Sequence, residues 1–323
     1  MRRTSSRFYL LLFVLLVLAG GFLSCQRTPE PSQKKRLQVV TTLFPLYDFA
    51  RNVGGDKAEV GLLLPPGVEP HSFEPKPRDI VRVNQADIFV FTGNFMEPWA
   101  AALLKGADRQ KLVVVDSSRG IALRPEAETE EPDSHAGKNH HKHVHSDAID
   151  PHIWLDFGNA QKMVDNILEG FITKDPQNRA FYEKNAAAYK ARLRDLDDHF
   201  KEGLQNCETR LFVHGGHYAF NYLAQRYNLS YVSVYGFSPN AEPSPAHLVD
   251  IVQKIRRYRI KYVFYEELLQ PRVADTIARE TGAGLLPLNG GHNVTKEELE
   301  RGVTFISLME QDLKNLRTGL QCR

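Results

Sequence analysis

The fold turns on residues 175–204, DPQNRAFYEKNAAAYKARLRDLDDHFKEGL. Tyr182, Ala186, Tyr189, Leu193, Leu196, Phe200 and Leu204 recur at spacings of three and four, which puts them on one side of a single α-helix. Asp175 followed by Pro176 predicts where it begins, with an acceptor at the cap and proline in the first helical position. About 30 residues at 1.5 Å each span ~45 Å, enough to cross two small domains. A single stiff helix in that place disfavours a large hinge motion between them.

Four short apolar runs precede this helix, at residues 37–43, 59–64, 87–92 and 112–116. Four more follow it, at 211–214, 230–235, 261–265 and 284–288. Runs of this length alternating with helical patterns indicate α/β layers built on parallel strands. Two sets of four predict an α/β fold of two similar lobes with four-stranded, mainly parallel sheets, joined by a long backbone helix. The lobes are expected at 37–158 and 207–323, with a helical linker at 159–206. Its first helix is expected to be capped by Asn159 and to carry Met163, Ile167 and Phe171 on one face.

Residues 1–25 read as a targeting segment. Arg2, Arg3 and Arg7 precede an apolar run at 8–18 that is too short to span a bilayer comfortably. The run leads to Cys25 in a pattern that resembles a bacterial lipoprotein signal, in which the cysteine is lipidated. Phe22 stands where an aliphatic residue is usual. The expectation is a periplasmic or cell-surface protein anchored to the membrane by lipid, with 26–36 as a polar tether. Net charge is +2 and the basic residues are scattered. The densest basic run, 256–261, falls at a helix end, so nucleic acid is not an expected partner. Cys207 and Cys322 remain as an even pair, which outside the cytosol favours a disulfide.

Histidine carries the chemistry. Within a loop at 124–149, His135, His140, His141, His143 and His145 follow an acidic run, with no hydrophobic periodicity. Such a tract reads as an accessory metal-binding segment, able to raise the local metal concentration. A loop this long inside a compact domain is functional or disordered. Four other histidines occupy a different setting. His71, His217 and His292 each follow a strand by a few residues, and His152 lies at the junction between the two sets. Ligands of open α/β sheets bind outside the carboxyl ends of the strands. Singly, each histidine fits a hydrogen-bonded surface or core role; the shared placement points to a metal between the lobes. His199 and His247 read as solvated. His214 is open between supporting the ligands and being one.

Three stretches then carry a resemblance: 64–74, LPPGVEPHSFE; 150–156, DPHIWLD; and 217–223, HYAFNYL. Over residues 37–318 the chain resembles the solute-binding proteins of bacterial zinc and manganese ABC transporters, the cluster A-I group. The resemblance implies two α/β lobes with metal held between them, and His71, His152 and His217 as the first three ligands. The fourth ligand in such proteins is a carboxylate or water. Asn289 stands where manganese-type members tend to have aspartate, and His292 where some zinc binders resemble it with glutamate. His292 is expected as the fourth ligand, with water as the alternative. Three or four imidazoles suit zinc, whereas manganese prefers more oxygen donors. The implied partners are an ABC permease and its ATPase, served by a monomer. The alternatives are a manganese or other divalent-metal binder, a surface metal-binding adhesin, and a secreted zinc enzyme. For the enzyme, Glu69, Glu74, Asp150 and Glu266 are the candidate bases, but no His-Glu-x-x-His motif occurs. A fourth imidazole would close the open position that zinc catalysis needs.

Overall fold

The computed structural model describes residues 36–108, 110–125, 149–236, 243–266 and 271–323. The targeting segment with Cys25, the tether up to residue 35, and the tract with His135, His140, His141, His143 and His145 lie outside the described residues.

Strands β1 (Leu37–Thr41), β2 (Ala58–Leu62), β3 (Ile88–Phe91) and β4 (Val113–Asp116) form one sheet in the order β2-β1-β3-β4. Strands β5 (Leu211–His214), β6 (Ser230–Ser233), β7 (Tyr262–Tyr265) and β8 (Gly284–Pro287) form a second in the order β6-β5-β7-β8. Every ladder is parallel. The two sheets therefore repeat one topology, and the expected two-lobed α/β fold is present. Apolar strands covered on both faces are what a parallel sheet requires, and all four residues of β3 are buried.

The helices are α1 (Phe44–Gly54), α2 (Pro77–Gln85), α3 (Ala100–Leu104), α4 (Phe157–Lys174), α5 (Arg179–Gly203), α6 (Asn221–Arg226), α7 (Pro245–Tyr258), α8 (Arg272–Thr281), α9 (Lys296–Glu300) and α10 (Phe305–Gly319). Two helix starts differ from expectation. Asp156, not Asn159, caps α4: its carboxylate accepts from the backbone N–H groups of Gly158 and Asn159 at 2.8 and 3.2 Å. The long helix begins at Arg179, after a 3-10 turn at Pro176–Asn178. Asp175 accepts instead from Asn178 Nδ2 and Tyr182 Oη, at 2.6 and 2.7 Å. The 25 residues of α5 make ~38 Å rather than ~45 Å. Its apolar face is the expected one, with Tyr182, Ala186, Tyr189, Leu193, Leu196 and Phe200 buried.

That face lies in an apolar core running without interruption from the first lobe to the second. Phe305, at the start of α10, meets Phe49 of α1 edge-on at 5.2 Å and Phe157 of α4 at 6.3 Å. Arg226, in α6, adds a polar tie: it bonds Asp156 at 2.7 Å and, through two nitrogens, Asp197 of α5. At the far end, Cys207 and Cys322 are bonded through their sulfurs.

Candidate metal centre

His71, His217 and His292 reach one place because each follows the carboxyl end of a parallel strand. His71 sits in the loop after β2, where Gly67 turns the chain at φ +77°. The Glu69 carboxylate accepts from the backbone N–H groups of His71 and Ser72 at 3.0 and 2.8 Å, fixing the loop at the ligand itself. His217 follows β5 through Gly215 and Gly216. A Cβ on Gly216 would lie 2.6 Å from both Glu266 Oε2 and His214 Cε1, so only glycine admits those neighbours. His292 follows β8 through Gly290 and Gly291. Gly291 is left-handed at φ +71°, and a Cβ on Gly290 would strike His292 Nδ1 at 2.5 Å. His152 comes from the segment between the lobes, just before the turn at Ile153–Leu155.

Donor atoms of His71, His152 and His217 all lie within 4.8 Å of one another. The Nε2 atoms of His152 and His217 are 3.1 Å apart. On the far side of each ring a carboxylate takes up Nδ1: Asp150 Oδ1 lies 2.9 Å from His152 Nδ1, and Glu266 Oε2 lies 2.8 Å from His217 Nδ1. A carboxylate accepts, so each Nδ1 carries the proton and each Nε2 presents a lone pair. His71 Nε2 is also buried without a hydrogen-bond partner.

His292 sits beside this trio. Its Nδ1 packs against Gly290, and its Nε2 lies 3.6 Å from Glu266 Oε1. Its ring centre is 5.6 Å from that of His217 and 6.3 Å from that of His152. His217, Glu266 and His292 thus form a second set of mutually close donors that shares His217 with the first.

Burial sets the charge state. It holds His71 down at about 3, helped by the neighbouring His217 and His292 rings, and holds His152 well below the ordinary imidazole range. His292 is lowered by burial too, against the pull of Glu266. These rings are neutral bases at pH 7. Burial opposes ionisation of Glu266, but His217, His292 and His214 outweigh it and keep the carboxyl low, at about 2. Asp150 is pushed up by burial to about 7, and a cation on His152 would favour its charged form.

Glu266 is the residue that sequence reasoning passed over, weighing it only as a base for an enzyme. It follows β7 as His217 follows β5, so the strand-end rule that singled out the histidines applied to it equally. His214 is fully buried, donates from Nδ1 to the His217 carbonyl at 3.2 Å and packs on Phe220. It supports the His217 loop. His199 pairs with Glu310 at the surface, as a solvated histidine can. His247 does not match its expected solvation: it is partly buried, and Nε2 donates to the Ser233 carbonyl at 2.9 Å. Asn289 spends its side-chain oxygen on the Gly291 N–H, at 2.7 Å, which shapes the turn into His292.

Two α/β lobes meeting at a cluster of imidazoles, with carboxylates behind two of them, define a metal-binding solute-binding protein. The chain belongs to the ZnuA family, zinc-uptake complex component A, periplasmic, whose sequence profile matches residues 39–319. It is 38% identical over 319 residues to the high-affinity zinc uptake system protein ZnuA of Bacillus subtilis (strain 168), covering 99% of this chain and 98% of that protein. It is 37% identical over 282 residues to the zinc-binding lipoprotein AdcA of Streptococcus pneumoniae R6, covering 87% of this chain but 55% of AdcA. The chain therefore spans about half the length of AdcA. Among solved structures, the metal-dependent lipoprotein YcdH of Bacillus subtilis superposes with a TM-score of 0.74 at 36% identity, covering 88% of this chain and 99% of that one. The Zn(II)-bound ZnuA-like domain of Streptococcus pneumoniae AdcA gives a TM-score of 0.74 at 34% identity over the same shares.

Proposed function

We propose that this protein captures one zinc ion between its lobes and delivers it to an ABC permease and its ATPase. It does so as a monomer on the outer side of the membrane, held there by a lipid on Cys25. His71, His152 and His217 supply three nitrogens and His292 the fourth, while His135, His140, His141, His143 and His145 gather zinc weakly nearby. The protein is a carrier rather than an enzyme, since four imidazoles leave no open position on the metal.

The observation that supports this reading is the 3.1 Å approach of the His152 and His217 Nε2 atoms, with both Nδ1 atoms engaged by carboxylates. Two bare lone pairs facing each other in a buried site repel, and a cation between them removes the repulsion. In tetrahedral zinc with bonds of 2.0–2.1 Å, neighbouring nitrogens stand ~3.3 Å apart. An all-nitrogen set favours zinc over manganese, which selects oxygen. The carboxylate behind each imidazole fixes its tautomer and raises its basicity.

Zinc titration against a competing chelator tests the reading. His71→Ala, His152→Ala and His217→Ala should each abolish the one tight site and leave only weak binding. Parent affinity in all three variants would overturn it.

A further inference from the structure

The segment carrying His292 does more than present that ring. Its His292 carbonyl accepts from the Phe44 N–H at 3.2 Å, and its Val294 carbonyl accepts from the Gly67 N–H at 2.8 Å. Between them sits Asn293, fully buried. Asn293 Nδ2 donates to two carbonyls of the His71 loop, Pro65 at 2.9 Å and Val68 at 2.7 Å, while Oδ1 accepts from the Val294 N–H at 2.8 Å. Both side-chain amide protons go to the opposite lobe. The loop from Pro65 to Pro70 makes few bonds of its own: within it, the Val68 N–H reaches the Pro65 carbonyl at 3.2 Å, and the Glu69 carboxylate serves the His71 and Ser72 N–H groups just beyond it. A six-residue stretch with three prolines cannot build a ladder of its own, so its outward carbonyls need a donor from elsewhere.

We propose that Asn293 is a positioning residue that holds His71 in place against the second lobe, so that zinc leaves only after the Asn293 bonds to Pro65 and Val68 break. This rests on the reading of His71 as a zinc ligand. None of these Asn293 side-chain bonds goes to a donor atom of the centre, so the residue acts through the loop. It couples the two lobes at the ligand: His292 and the residue that places His71 are neighbours in sequence, so motion of the 289–294 segment moves both.

The test is a double-mutant cycle on zinc release. The mature protein, loaded with one equivalent of zinc, is mixed rapidly with excess chelator and the dissociation rate is followed. Asn293→Ala should raise the rate about tenfold in the parent, the equivalent of roughly one to two lost hydrogen bonds. In a His71→Ala background, where only weak binding is left, the same change should alter the already faster release less than twofold, because there is no ligand left to misplace. Asn293→Asp keeps the side-chain volume and the acceptor for Val294 but removes the donor, and should repeat the result if the alanine variant fails to fold. An equal acceleration in both backgrounds, or none in the parent, overturns the proposal. If His71→Ala itself leaves release unchanged, the ligand assignment fails instead, and the two failures are distinguishable.

Discussion

Tyr189, midway along the long helix, donates to Asp48 Oδ2 at 2.7 Å, and the same oxygen accepts from the Phe305 N–H at 3.1 Å. One buried carboxylate thus joins α1 of the first lobe, the backbone helix and the first turn of α10 in the second. Burial raises the Asp48 pKa, against the pull of Tyr189 and the Phe305 amide. Tyr189→Phe should cost about 1.5–3 kcal/mol, the range for a hydrogen bond to a charged group. Thermal unfolding should show the loss, while zinc affinity stays at the parent value. Loss of zinc binding without loss of stability would show that the contact serves the site instead.

Glu266 should prove more sensitive than its position outside the imidazole set suggests. Glu266→Ala removes the acceptor on His217 Nδ1 and the charge facing His292, and should weaken zinc binding ~10–100-fold. Glu266→Gln keeps an acceptor but no charge and should lose about tenfold or less. Chelator competition measures both. Parent affinity in the alanine variant would remove Glu266 from the site.

X-ray absorption on the zinc-loaded protein checks His292. The parent should show four nitrogen donors at ~2.0–2.1 Å, and His292→Ala three with a water oxygen. His292→Asp should move preference toward manganese by adding an oxygen donor. Water completing the parent site, with His292 outside coordination distance, would sink the assignment of the fourth ligand and leave the other three standing.

Cys207 and Cys322 close a loop of 115 residues around the second lobe. The exported protein should therefore show no titratable thiol from this pair under denaturing, non-reducing conditions. Replacing both by serine should lower stability by ~2–4 kcal/mol without changing zinc affinity. Two reactive thiols in the unreduced protein would rule the bridge out.

Glu97 gives the fold a pH dependence. It is fully buried, accepts from the Thr42 hydroxyl at 2.5 Å and from the Thr92 and Gly93 N–H groups at 3.1 Å, and burial raises it from 4.5 to about 7. Between those values the folded chain holds a proton that the unfolded chain has released. Stability therefore falls as pH rises from about 4.5 to 7, by at most ~1.4 kcal/mol per pH unit from this group. Chemical denaturation across that range should show the slope, and Glu97→Gln should flatten it. A variant with the parent's slope would place the dependence elsewhere.

Sequence alone determined the eight strands, their division into two sets and the apolar face of the long helix. These follow from local periodicity and from glycine and proline at the turns, which the chain carries at short range. It also singled out His71, His152, His217 and His292, because histidine is scarce, with 12 in the chain, and three of the four sit just past strand ends. Glu266 did not stand out among 39 acidic residues. Its meeting with His217 depends on β7 lying beside β5, and its meeting with His292 on β8 lying beside β7. The first turn of α4 misled in a smaller way: Asp156 and Asn159 are both good caps, and the bond from Arg226, 70 residues away, favours Asp156. Asn293 was invisible for the same reason as Glu266. Its two partners, Pro65 and Val68, lie more than 220 residues earlier, and only the closing of the two lobes brings those carbonyls to its amide. Residue type and spacing fix which groups can bind a metal; strand order and lobe contact decide which of the others hold them still.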